Sequence, residues 1–167
     1  MFPNKIKNKA KIVFKLCLKK KIKLAFAESC TGGLLSSLIT SFPNSSKIFS
    51  CGYVTYSNLS KEKMLGITKK ELKKYGAVSI EIARSMAESA VVKANAEIGI
   101  GITGIAGPGG ATKKKKVGDV YIASCRFENK KFFASMEEPL VLKGTRESIR
   151  LATVESVLDL LLEELKF

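Results

Sequence analysis

The sequence predicts an α/β fold, a three-layer α/β/α sandwich with a central mixed sheet, on three observations. Short apolar runs alternate with segments of helical period between residues 22 and 103. One of those runs, Ile98 to Thr103, is too continuously apolar to be an exposed edge. Two strand-like runs then follow one another around residue 129 with no helix between them. Alternation predicts strands covered by helices on both faces, and the late hairpin makes the sheet mixed. At 167 residues, 46% hydrophobic and 26% charged, the chain suits one domain, 1–167, with a sizeable core. No repeat or linker divides it.

The elements follow in order. Residues 5–20 set Ile6, Ala10, Val13, Phe14 and Cys17 on one face of a helix. Ile22 to Ala27, between a lysine cluster and a Ser-Gly turn, is a strand. Leu34, Leu35, Leu38 and Ile39 predict a helix ending before Phe42-Pro43-Asn44. Ile48 to Tyr56 has the β-branched and aromatic content of a second strand. Asn58 or Ser60 is expected to cap a short helix running to Leu65 and stopped by Gly66. Glu71 to Tyr75, closed by Gly76, is another helical piece, and Ser79 opens a longer helix to about Lys93. Ile98 to Thr103 is a buried strand, and Gly104 to Gly110 is a loop. Val117 to Cys125 and Lys130 to Met136 should pair around a turn at Glu128-Asn129. Thr145 to about Leu165 is an amphipathic helix with a capping start.

No apolar run approaches the ~18–20 residues that span a bilayer. The basic stretch Met1 to Lys23 lacks the apolar core and cleavage site of a signal peptide. A cytoplasmic protein with no membrane partner is expected. Cys17, Cys30, Cys51 and Cys125 form no C-x-x-C pair and the chain has no histidine, so no metal and no cofactor are expected. The cysteines read as small buried apolar residues in a reducing compartment. A net charge of +14 fits either a nucleic-acid face or a lysine-rich surface that draws small anionic substrates. The second is favoured, with nucleic acid not expected as a partner, because no nucleic-acid motif is present. Lys113 to Lys116 is expected to be a solvated loop. Homo-oligomerisation is left open.

The chemistry centres on Ala27-Glu28-Ser29-Cys30-Thr31-Gly32-Gly33. A strand breaking into a glycine turn and a helix exposes the serine beside free N–H groups that suit an anion or oxyanion. Ser29 or Thr31 either caps the helix or Ser29 acts as a nucleophile. Without histidine, the base would be a lysine or a tyrosine–lysine pair. Lys61 fits best: early in a helix, and partly buried, its ammonium would be disfavoured. A plain surface lysine is the alternative for Lys61, and Cys30 is an alternative thiol with no evident activator. The Gly104–Gly110 loop allows close approach to a phosphate but lacks P-loop register.

The stretches AESCTGG (27–33), GYVTYSN (52–58), SKEKMLGI (60–67), YGAVS (75–79), GITGIAGPGG (101–110) and VGDVYIA (117–123) occur in this order. Together they resemble the C-terminal domain of the CinA family, from about Lys9 to Leu165. That family includes stand-alone nicotinamide-nucleotide amidohydrolases, and the chain length matches that form. The resemblance implies hydrolysis of the carboxamide of nicotinamide mononucleotide, a small-molecule nucleotide substrate, to nicotinate mononucleotide and ammonia. It implies Ser29 as nucleophile, Lys61 as base and Tyr56 as a supporting hydrogen-bonding residue. The amides from Cys30 through Thr31, Gly32 and Gly33 would hold the oxyanion. Thr103, Gly104, Ala106, Gly107 and Arg146 would bind substrate. The chain departs from the family pattern at Thr145, where an acidic residue is common, and at Lys116, where proline is common. The alternative is a catalytically silent nucleotide- or partner-binding domain linked to competence or DNA-damage processes.

Overall fold

Residues 2–133 and 136–166 are described by the computed structural model. In chain order the elements are α1 (Asn4–Lys20), β1 (Leu24–Glu28), α2 (Leu34–Thr40), β2 (Phe49–Val54), α3 (Asn58–Leu65), α4 (Lys69–Tyr75), α5 (Ile80–Ala94), β3 (Ile98–Gly104), β4 (Asp119–Glu128), β5 (Lys131–Phe133), β6 (Glu137–Val141) and α6 (Arg146–Glu164). The strands form one open sheet in the order β2-β1-β3-β4-β5, with β6 also on β4. β1 pairs parallel with both β2 and β3, and β4 runs antiparallel to β3, β5 and β6. The sheet is mixed, as expected.

Side-chain size along the two central strands sets the layers. Leu24 and Phe26 of β1, and Ile98, Ile100 and Ile102 of β3, share one face and pack under α1, α2 and α6. The intervening Ala25 and Ala27 turn to the other face, under α5. Gly99 and Gly101 occupy the same face, since side chains alternate along a strand. There α5 lies so close that a Cβ at Gly101 would collide with the Ala83 carbonyl oxygen. Large residues therefore fill one interlayer space, and near-absent side chains let a helix backbone rest on the sheet at the other.

The helices start where side-chain oxygens satisfy free amides. Ser79 accepts from Ile82 N–H and Thr145 from Ser148 N–H, as the sequence suggested. α3 differs: its N-cap is Ser57, whose side chain accepts from Ser60 N–H, so neither Asn58 nor Ser60 is the cap. Ser57 and Ser60 form a reciprocal capping box, which favours the earlier start. α4 likewise begins two residues early, under a capping box between Thr68 and Glu71.

The hairpin turn lies at Asn129-Lys130, one residue later than expected, with φ of 51° and 61°. Two successive positive φ values suit a tight connection between twisted strands. Of the strand expected over Lys130 to Met136, the described residues place Lys131–Phe133 in β5; Ala134 and Ser135 lie outside the described residues. β6, unforeseen, pairs with the first half of β4. Of Lys113–Lys116, Lys115 does not stay in solvent: its ammonium sits 4.4 Å over the Tyr121 ring. Among the described residues, no helix is long and apolar enough to cross a membrane.

Candidate active site

The C-terminal ends of β1, β2 and β3 lie side by side, with Glu28 opposite both Val54 and Ile102. The chain leaves β1 directly into Ser29, whose N–H donates to the Ile102 carbonyl at 3.0 Å. Glu28, fully buried, prepares the turn. Its carboxylate accepts from the N–H groups of Leu35 (3.1 Å) and Ser36 (2.9 Å) and from Ser36 Oγ (2.7 Å). A carboxylate on the free amides of α2 holds that N-terminus against the end of β1. The sequence contains this carboxylate within its motif, yet nothing in the spacing reveals which amides it caps.

β2 leads into the loop before α3, which brings Lys61 inward. Lys61 is 2% exposed. Its Nζ donates to Ser29 Oγ at 2.9 Å and to the Thr55 carbonyl at 2.8 Å. Burial pushes its pKa from 10.5 down to about 8. Since Ser57 is the N-cap, Lys61 is the fourth helical residue, and desolvation is the leading cause of the shift. Thr55 contributes through its backbone, a contact that side-chain identity cannot announce.

Ser29, Lys61, Tyr56, Thr103, Gly104, Ala106, Gly107 and Arg146 line one cleft of about 260 Å³. Cys30 also lines it, whereas Thr31, Gly32 and Gly33 lie outside its lining. Gly32 N–H is committed to the Ser29 carbonyl at 3.0 Å, and the Thr31 carbonyl accepts from Arg150 Nη2 at 2.6 Å. Gly33 packs toward Val54. Burial pushes the Cys30 thiol up to about 11, so it is protonated at neutral pH and a poor nucleophile.

Tyr56 stands at the mouth, 59% exposed. Its hydroxyl accepts from Arg146 Nη2 at 2.6 Å, and no hydrogen bond links it to Ser29 or Lys61. Arg146 Nη1 donates to the Gly107 carbonyl at 2.6 Å, so one guanidinium joins two walls of the cleft. Thr103 Oγ1 donates to the Ala77 carbonyl at 2.6 Å, tying the end of β3 to the segment before α5. Asn58, Ala77 and Val78, from the GYVTYSN and YGAVS stretches, also line the cleft, although nothing in the sequence assigned them an individual site role. Chemically, the arrangement pairs a hydroxyl with an amine of depressed basicity in a confined space flanked by a guanidinium.

Known proteins match this chain along nearly its whole length. A competence-damage inducible protein of Thermoanaerobacter sp. (strain X514) is 47% identical over 153 residues, 89% of this chain and 35% of that protein. One from Alkaliphilus oremlandii is 43% identical over 153 residues, 92% of this chain and 36% of its own length. The chain thus spans about a third of the length of the curated relatives it matches. The crystal structure of the competence/damage inducible protein CihA from Agrobacterium tumefaciens superposes with a TM-score of 0.91 at 34% identity, covering 100% of this chain and 99% of that one. A CinA superfamily protein from Enterobacter cloacae gives 0.88 at 28% identity, with coverages of 96% and 92%. The model of the CinA C-terminal domain matches residues 6–165, and this chain belongs to that family.

Proposed function

We propose that the protein hydrolyses the carboxamide of nicotinamide mononucleotide, releasing ammonia and nicotinate mononucleotide. The observation that carries this is the buried Lys61 Nζ, 2.9 Å from Ser29 Oγ, with its pKa lowered to about 8. An amine that loses its proton near neutrality has a lone pair to offer, and the Ser29 hydroxyl is within direct reach. The Thr55 carbonyl accepts one Nζ–H and thereby directs the lone pair of the neutral amine toward Ser29.

The steps follow. Lys61 takes the Ser29 proton as Oγ adds to the carboxamide carbon, giving a tetrahedral oxyanion beside the Cys30 amide. The lysine ammonium returns that proton to the amide nitrogen, the C–N bond breaks, and ammonia leaves. Water then adds to the acyl-serine, with Lys61 as base again. Collapse releases the carboxylate and restores Ser29.

A cleft of about 260 Å³ is below the ~300–1,000 Å³ of pockets that enclose a whole drug-sized ligand. It suits the pyridine ring, with the ribose phosphate at the mouth near Arg146. Guanidinium forks suit phosphate oxygens, and Tyr56 holds Arg146 in place for that purpose rather than sharing the Ser29 proton. The test is ammonia release from nicotinamide mononucleotide by purified protein. Ser29→Ala and Lys61→Arg should both abolish it, because a guanidinium keeps its proton, while Cys30→Ala should retain most of the rate. Mononucleotide binding without ammonia release would instead make this a silent binding domain.

A further inference from the structure

We infer that Arg150 is a positioning residue for the Ser29 nucleophile, acting through the Thr31–Gly32 peptide; the inference rests on the serine chemistry proposed above. α6 carries Arg146 and Arg150 one turn apart, on neighbouring parts of its surface. Arg146 reaches the cleft walls, whereas Arg150 reaches behind the nucleophile. Its Nη2 donates to the Thr31 carbonyl at 2.6 Å.

A peptide unit is planar, so fixing its oxygen fixes its N–H. The oxygen of the Thr31–Gly32 unit is held by Arg150, and its N–H is held by the Ser29 carbonyl at 3.0 Å. One guanidinium therefore determines the tilt of the plane that returns to Ser29. Gly32 permits this tilt, with φ of +61°, and a Cβ there would stand 3.6 Å from Arg150 Nη2. From the other side, Glu28 fixes the start of α2 through the Leu35 and Ser36 amides. The turn is thus clamped between a buried carboxylate and a partly buried guanidinium, leaving Ser29 Oγ directed at Lys61.

Arg150 Nε is buried and has no hydrogen-bond partner among the described residues. Beside it lies a separate cavity of about 220 Å³, lined by Phe2, Leu34, Ser37, Glu147, Arg150 and Leu151. The guanidinium also favours negative charge at the turn, as its influence on the Cys30 thiol indicates.

The test uses two readouts on the intact protein: deamidation of nicotinamide mononucleotide, and the rate at which a fluorophosphonate probe labels Ser29. For Arg150→Ala, kcat should fall roughly tenfold to hundredfold, the scale of an ångström misplacement. KM should stay within about threefold, because the phosphate is held elsewhere. Labelling should slow in parallel, and millimolar guanidinium should restore part of both rates by entering the vacated space. Arg150→Lys should fall between Ala and native. Native labelling in Arg150→Ala would overturn the inference. So would a loss that guanidinium does not restore and that Leu151→Ala, a neighbour on α6, reproduces. If the native protein labels at Ser29 but releases no ammonia, the substrate proposal fails and Arg150 is judged on labelling alone. Absence of both reactions in the native protein would sink both proposals.

Discussion

Lys61 carries two separable consequences of one desolvated ammonium. As a base, its neutral form is active, so kcat/KM should climb with pH through about 8 and level off above, following the group's lowered pKa. A pH–rate profile flat from 6 to 9 would remove the lysine base. As a stability determinant, the sign is the same. Between about 8 and 10.5 the unfolded chain holds a proton on this residue that the folded chain has lost. Stability therefore rises with pH across that window through this residue, and the folded state is disfavoured below it. Relative to Lys61→Met, the native protein's Tm should rise as pH goes from 8 to 10. Tyr56 offers a third test. With its hydroxyl bonded to Arg146, Tyr56→Phe should raise KM several-fold and leave kcat nearly intact; a collapse of kcat would return the tyrosine to the proton path.

At this scale the sequence announces residue types better than contacts. Ser29 and Lys61 stand out because a histidine-free chain leaves few bases, and the fold brings them together. The Arg146–Tyr56 link was not legible, because it joins residues 90 positions apart. Nor were the Thr55 carbonyl and the Thr31 carbonyl, since every residue has one.

Among the elements, β3 explains why a glycine-rich strand belongs at the centre of the sheet. Gly101→Ala would place a methyl against the Ala83 carbonyl oxygen and 2.7 Å from Ala87 N. Either α5 lifts or the strand bends, a cost of about 1–3 kcal/mol or more that a urea midpoint would measure. Gly109→Ala, where a Cβ meets nothing within 4 Å, should change stability by no more than about 0.5 kcal/mol. The starts of α5 and α6 and the buried strands were legible from capping residues and hydrophobic period, whereas the Ser57 and Thr68 caps of α3 and α4 were not. β6 was not: Glu137-Glu138-Pro139 has neither alternation nor an apolar run, and only pairing with β4 makes it a strand. The glycines facing α5 read as part of an apolar run, and their purpose shows only when the helix lies on them.

For the whole molecule, the charge is less evenly spread than composition suggests. The first 27 residues hold nine lysines and no acidic residue, more than half of the +14. Two of those lysines are engaged on α6: Lys5 pairs with Glu155 at 2.6 Å, and Lys9 with Glu155 and Asp159 at 2.8 Å each. Partly exposed pairs of this kind add little individually and weaken with salt. Glu164, near the other end of α6, is buried against Ser124 and Arg126 of β4. α6 is thus anchored along its length, and Arg150 in its second turn reaches the Thr31 carbonyl beside Ser29. During synthesis Ser29 and Lys61 are added to the chain well before Arg146 and Arg150. A nascent chain therefore carries Ser29 without the clamp that aims it, and its reactivity should arise only when α6 docks. Under the proposed chemistry, this order of reactive groups first and clamp last would limit acylation of an unfinished chain.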